Sequence, residues 1–118
     1  MAWGPYGTAR STVSTSDGLS NTNTLVSFGT AHPAAYHCKN LTTGGYNTWY
    51  LPAKGECTTI FANTATTPFA IANGVVGDYY WSSTEYGGGR AAGGLPGSSF
   101  DGQRVKSNPG YVRAVRRL

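Results

Sequence analysis

Charge is scarce in this chain of 118 residues, where Asp, Glu, Lys and Arg together make up 12%. Cysteine occurs twice and methionine once. No apolar run approaches the ~20 residues that a membrane-spanning helix needs. Low charge combined with 13% aromatic residues excludes the highly charged, aromatic-poor composition of disordered chains. Cys38 and Cys57 lack CxxC spacing, and His32 and His37 are spaced wrongly for one helical face, so no zinc site is expected. The two cysteines leave two readings open, a single disulfide between packed helices or two buried thiols. Met1-Ala2-Trp3-Gly4-Pro5 is not a signal peptide.

What the chain has in quantity is glycine, at 17 positions, with many small hydroxyl and amide residues. The length suits one domain, residues 1–118, with a core that needs no metal. The densest stretch is Tyr79-Tyr80-Trp81-Ser82-Ser83-Thr84-Glu85-Tyr86. Its aromatic and β-branched content predicts a strand buried at least at its start. Alternation sets Tyr80, Ser82 and Thr84 on one face and Tyr79, Trp81, Ser83 and Glu85 on the other. Trp81, Tyr80 and Trp49 are read as structural core, because large rings remove much apolar area from water.

The other elements follow in order. Trp3 to Gly7 reads as a first strand or its lead-in. Thr8 to Asn23 is polar with a tight turn at Asp17-Gly18, and Leu25-Val26-Ser27-Phe28 is a short apolar run. Pro33 opens a helix whose buried face is Ala34, Ala35, Cys38 and Leu41, and Gly44-Gly45 ends it. Tyr46 to Pro52 is extended. A second helix runs from Pro52 to about Asn63, with Ala53, Cys57, Ile60 and Phe61 on one face. Thr64 to Gly77 is a connection. Gly87 to Gly110 reads as a long glycine-rich loop with a hairpin signal at Asp101-Gly102. Tyr111 to Leu118 reads as a final strand, Val112 and Ala114 inward, Arg113 and Arg117 outward. The fold class is α+β, two helices with small, mostly antiparallel sheets.

Charge is unevenly placed. From Gly89 on, Arg90, Arg104, Lys106, Arg113, Arg116 and Arg117 face one carboxylate, Asp101; earlier, three cations meet four carboxylates. Such an end could meet acidic glycans, phosphate or an acidic partner chain. A solvated strand face explains it better than nucleic-acid binding, since no lysine-rich run is present.

Four stretches then occur in order: Asp17-Gly18-Leu19-Ser20-Asn21-Thr22, Gly45-Tyr46-Asn47-Thr48-Trp49-Tyr50-Leu51-Pro52, Tyr80-Trp81-Ser82-Ser83-Thr84-Glu85-Tyr86 and Tyr111-Val112-Arg113-Ala114-Val115-Arg116. Over nearly the whole chain this series resembles the C-terminal domain family of the Legionella collagen-like adhesin, found in bacteria and phages. The resemblance implies a C-type-lectin-like fold close to the formylglycine-generating-enzyme architecture, with its first and last strands paired and its ligand surface in the loop-rich second half. The chain departs from the family at Lys54-Gly55-Glu56-Cys57, which keeps a glutamate and loses a leucine, and in the glycine and alanine around Arg90. The Glu-Pro-Asn and Trp-Asn-Asp signature of calcium-dependent sugar binding is absent, and the enzymes' paired cysteines have no counterpart. No cofactor, metal or catalytic residue is expected.

Glu56 is expected to flank a helix start and Glu85 to pair with a terminal-strand arginine, rather than to form an acid pair with Asp78. His32 and His37 are expected at the surface or at helix ends. Tyr86, Arg90, Phe100, Gln103 and Arg104 fall in the expected loops and are the candidate contacts with a ligand or partner. The expected function is non-enzymatic: a recognition or adhesion domain on a phage particle, as a tail fibre or receptor-binding component, or on a bacterial surface. It would bind a host-surface glycan or protein, as a homo-oligomer for which the family favours a trimer. The alternative is a structural virion component, a decoration or tail protein, whose loops contact neighbouring subunits. Neither nucleic acid nor membrane insertion is expected.

Overall fold

One strand, β1 (Tyr80–Tyr86), runs through the middle of the molecule and is hydrogen-bonded along both edges. The computed structural model describes residues 1–60, 79–94, 100 and 102–117. One edge of β1 pairs antiparallel with β2 (Arg90–Gly94), which pairs with β3 (Gly102–Val105), in the order β1-β2-β3. Three separate segments share the other edge. Trp81 N–H donates to Tyr111 O, Ser83 N–H to Pro52 O and Glu85 N–H to Thr12 O, at 2.8, 2.8 and 2.9 Å. Burial persists from Tyr80 through Glu85 on both faces, beyond the buried start that alternation indicates. The polar residues survive there because each has partners. Ser82 Oγ donates to Ala92 O, and Thr84 Oγ1 donates to Ser14 O while accepting from Lys54 N–H.

Three helices lie among the described residues: α1 (Gly18–Val26), α2 (Pro33–Lys39) and α3 (Lys54–Ile60). The polar stretch expected to be only a turn at Asp17-Gly18 is the start of α1. Asp17 caps it by accepting from Ser20 N–H at 3.0 Å. Gly18 is required by close approach, since a Cβ there would stand 2.5 Å from Ala53 N and 2.7 Å from Leu51 O. The inner face of α1 carries Asn21 and Thr22 beside Leu25. Thr22 Oγ1 accepts from Leu51 N–H and donates to Leu51 O, so a polar side chain docks the helix on extended backbone. α2 begins at Pro33 and buries Ala34, Ala35 and Cys38, as its spacing indicates, but it ends at Lys39, so Leu41 lies beyond the helix and the expected stop at Gly44-Gly45 comes later than the true end. Glu56 sits in the first turn of α3 and accepts from Ala53 N–H and Gly18 N–H, joining two helix starts. The expected α3 residues Phe61 to Asn63, the connection Thr64 to Gly77, Asp78 and Asp101 lie outside the described residues.

The main core gathers Trp3, Leu25, Ala34, Ala35, Cys38, Leu51, Trp81 and Ala91, with Val112 and Ala114 at its margin. A smaller core holds Cys57, Tyr80 and Phe100, with Ile60 beside it. Trp81 and Tyr80 are thus core residues, at 1% and 3% exposure. Both cysteines are buried free thiols. Two expectations fail here. The described part of Gly87 to Gly110 is not all loop but carries β2 and β3, because glycine lets the strands pass beneath Tyr79: a Cβ on Gly93 would collide with its ring and with Tyr80 O. The last run is no continuous strand; it makes single bridges, Tyr111 to Tyr80 and Val115 to Tyr50.

Glu85 is 2% exposed and binds Lys106 Nζ at 2.7 Å, not the terminal-segment arginine that the sequence indicates. Arg117 of the terminal segment pairs with Asp17 at 3.0 Å. The same Glu85 carboxylate accepts from the backbone N–H of Arg10 and Thr12 at 2.7 and 2.9 Å. Lys106 Nζ also donates to Thr8 O and lies 4.6 Å from the Trp3 ring centroid. Removing one partner of a buried pair costs about 3–5 kcal/mol, because the other charge is left unpaired. Lys106→Met is therefore expected to lower stability by that amount. Glu85→Gln combined with Lys106→Met is expected to cost less than Lys106→Met alone, since glutamine keeps an acceptor for the two amides. Urea unfolding of the native protein, the two single variants Lys106→Met and Glu85→Gln, and the double variant measures the coupling, and additive losses would show that the pair is not one unit.

Candidate functional site

The five residues expected to contact a ligand do not form one patch. Phe100 is fully buried in the smaller core and its N–H donates to Thr58 Oγ1, so it is a core residue and not a contact. Tyr86 and Arg90 are cross-strand partners at the β1–β2 turn. Tyr86 OH accepts from Lys54 Nζ at 2.6 Å, whereas the Arg90 side chain is exposed. Gln103 is exposed on β3 opposite Ala92, which by strand alternation puts it on the Arg90 face. Arg104 lies opposite Ala91 on the other face. Its guanidinium stacks 3.9 Å from the Tyr79 ring centroid and donates to Pro109 O, so it closes the edge of the main core.

A second region, not read from the sequence as a site, has the form of a binding groove. Trp49, expected in the core, is half-buried, and its ring lines a groove of about 280 Å³. Leu41, Val112 and Ala114 make the apolar floor with it, and His37, Thr43 and Arg113 supply polar groups. The local sequence explains the placement. α2 ends at Lys39 and leaves His37 outward in its last turn. Gly44 and Gly45 then reverse the chain with φ of 70° and 82°, values that suit glycine. Trp49 Nε1 donates to Thr43 O across that reversal at 3.2 Å, which fixes the ring. Arg113, expected to point outward, is half-buried. Among the described residues, no carboxylate lines the groove. Beyond it, Arg116 stacks 3.5 Å from the centroid of the exposed Tyr46 ring, and Arg117 lies 5.5 Å from the Tyr50 centroid. The signal for this region lay in the sequence as Tyr46 to Tyr50 beside a basic C-terminal run, but only the fold brings them together.

A third cluster is buried. His32, expected at the surface or a helix end, does precede α2 but is fully enclosed. Its Nε2 accepts from Arg10 Nε at 3.1 Å, its ring meets Trp3 edge-on, and Arg10 also lies over Phe28. Burial first, then the neighbouring Arg10 and Lys106 charges, pushes the imidazole down to about 4. Burial raises Cys38 to about 12 and Cys57 well above its ordinary range, so both thiols stay protonated. Tyr79 is raised by burial to about 12. Among the described residues no His, Cys, Asp and Glu cluster could hold a metal, and no helix is long and apolar enough to cross a membrane.

In comparisons with protein-family models, curated proteins and solved structures, no family, relative or structural neighbour matches the chain. The groove and its arginine–aromatic rim can therefore be read only from their own chemistry. Trp81→Ala is expected to cost about 3–5 kcal/mol, as a buried large-to-small change does. Trp49→Ala is expected to cost about 1 kcal/mol, the common size for a residue outside the core. Chemical denaturation of both variants checks the ranking, and equal losses would return Trp49 to the core.

Proposed function

We propose that this protein is a non-enzymatic recognition or adhesion domain, displayed on a phage particle or a bacterial surface, that binds a host-surface glycan or protein. The observation that carries this reading is the Trp49 groove with its flanking Arg116–Tyr46 stack. A half-exposed indole offers a flat apolar face, and arginines beside it offer directed donors, the residue types that dominate binding hot spots. The Trp49 hydrogen bond to Thr43 O and the Arg116–Tyr46 stack restrain these side chains without a ligand, which reduces the entropy lost on binding. Both thiols are buried and protonated, which speaks for binding rather than covalent chemistry. We further read the α+β architecture as C-type-lectin-like, on the sequence resemblance, and the assembled form as a homo-trimer whose repeated weak contacts add avidity.

A second reading, a decoration or tail component held by neighbouring subunits, has one observation in its favour. Among the described residues β3 is an edge strand: Lys106 N–H donates to Gly89 O, so alternation turns the Gln103 backbone N–H away from β2. Light scattering on the purified chain, followed by binding to host cells, tests the first reading. A trimer that binds cells is expected, with Trp49→Ala and Arg116→Ala each losing about tenfold in affinity while remaining folded. Arg90→Ala is expected to lose less, since Arg90 lies apart from the groove. Binding unchanged in both groove variants would dismiss the groove, and a monomer that ignores cells would favour the subunit-contact reading.

A further inference from the structure

The buried cluster around His32 has no part in the recognition reading and invites a separate one. Residues 1–12 are held on the rest of the chain by separate hydrogen bonds and by the buried Trp3 ring; at the two ends Met1 exchanges hydrogen bonds with Gly110 and accepts from Trp81 Nε1, and Thr12 O accepts from Glu85 N–H. Trp3 N–H and Gly4 N–H donate to Lys106 O, and Gly7 N–H donates to Gly88 O. Arg10 N–H and Thr12 N–H both end on Glu85 Oε1. Trp3 Nε1 donates to Ser82 O at 2.7 Å, and Lys106 Nζ donates to Thr8 O. His32 stands behind this segment, accepting from Arg10 Nε with its ring against Trp3 and close under Gly4, where a Cβ would collide with the imidazole.

The charges around His32 decide what a proton there would do. From the N-terminal segment it faces Arg10, from the turn after β3 it faces Lys106, and from β1 it faces Glu85. Phe28 contributes a ring, and Trp3 contributes a ring and a backbone group that favours the protonated imidazole, a smaller effect than burial and the two cations. Among the described residues the carboxylate that faces it, Glu85, already holds Lys106 Nζ and two backbone amides. To accept from Arg10 Nε, Nε2 must carry a lone pair, so the ring is neutral when the segment is seated. A proton on Nε2 would replace that hydrogen bond with two donors facing each other, and would add a third cation beside a single anion.

We propose that residues 1–12 form an acid-released clasp, with His32 as its sensor: protonation of the imidazole unseats the segment and uncovers Trp3 and the Thr12-covered edge of β1. The sign follows from linkage. A histidine held below its ordinary 6.5 when seated favours the seated state above that pH, and the advantage fades as pH falls from 6.5 toward about 4. Between pH 7 and pH 5 those two limits imply about a twentyfold rise in the open population.

Amide hydrogen exchange on the full chain at pH 7 and pH 5, corrected for intrinsic exchange, tests the proposal. The Trp3, Gly7, Arg10 and Thr12 amides are expected to lose about twentyfold in protection, while Tyr50 and Val115, bridged to each other away from the clasp, change less than twofold. His32→Gln, which keeps an acceptor toward Arg10 and does not titrate, is expected to flatten the response to less than twofold. Unchanged clasp protection in the native protein, an equal fall at Tyr50 and Val115, or a full response in His32→Gln would each overturn it. An NMR titration of the native imidazole gives an answer independent of that variant. A midpoint below 5 supports the clasp, and one near 6.5 refutes it.

Discussion

The carboxylate of Glu85, taken out of water and satisfied there, is the constraint on which the rest of the structure depends. A lone buried carboxylate is too costly to persist, and attraction to one ammonium often only offsets the desolvation of both groups. Here the anion has three donors, Lys106 Nζ and the amides of Arg10 and Thr12, and the lysine has a carbonyl and an indole face besides. The donors come from two places far from Glu85 in the sequence, residues 10–12 and Lys106. Satisfying Glu85 therefore fixes the N-terminal segment, the middle strand and the turn after β3 relative to one another. A hydrophobic pair at the same place would bury area without dictating that arrangement.

The same logic explains why β1 can be buried on both faces with only three aromatics in seven residues. Its outer edge is not another strand but three loops, each giving one carbonyl to Trp81, Ser83 or Glu85. Loops can do this only if held in register, and the side chains of β1 hold them: Thr84 takes Ser14 and Lys54, Glu85 takes Arg10 and Thr12. Polar residues on this strand thus replace the partner strand that an ordinary sheet would supply. Trp81 and Trp3 fill the space beneath, with indole N–H groups ending on Met1 O and Ser82 O.

What was legible in the sequence follows the type of contact. α2 shows in its sequence because apolar burial leaves a period, Ala34, Ala35 and Cys38. The central strand shows through its aromatics. α1 does not, because its docking face carries Asn21 and Thr22, and a polar side chain bonded to backbone looks like surface in a sequence. β2 is hidden for the opposite reason. Ala-Ala-Gly-Gly carries no strand propensity, yet small residues are what space beneath Tyr79 and against β1 admits. Trp49 and Phe100 exchange roles for want of any local signal. Trp49 follows a glycine reversal that carries it outward, and Phe100 is drawn in by Cys57 and Tyr80, far from it along the chain. The site suffered most, since residues 37–49 and 112–116 meet only in the folded chain.

The basic end of the chain divides by what each cation faces. Arg104 and Lys106 face inward, one over Tyr79 and one under Trp3, and act as polar seals on apolar rings. Arg116 and Arg117 lie against Tyr46 and Tyr50, with Tyr46 exposed and Arg117 shared with Asp17. Stacking leaves the guanidinium edge donors of Arg116 pointing away from the ring, held in orientation and still hydrated. A cation used as a seal loses its value for recognition, because engaging a ligand would uncover the core. A cation stacked on an exposed ring has no such conflict. That distinction, rather than the net charge of the C-terminal third, is what separates the scaffold arginine from those able to meet another molecule.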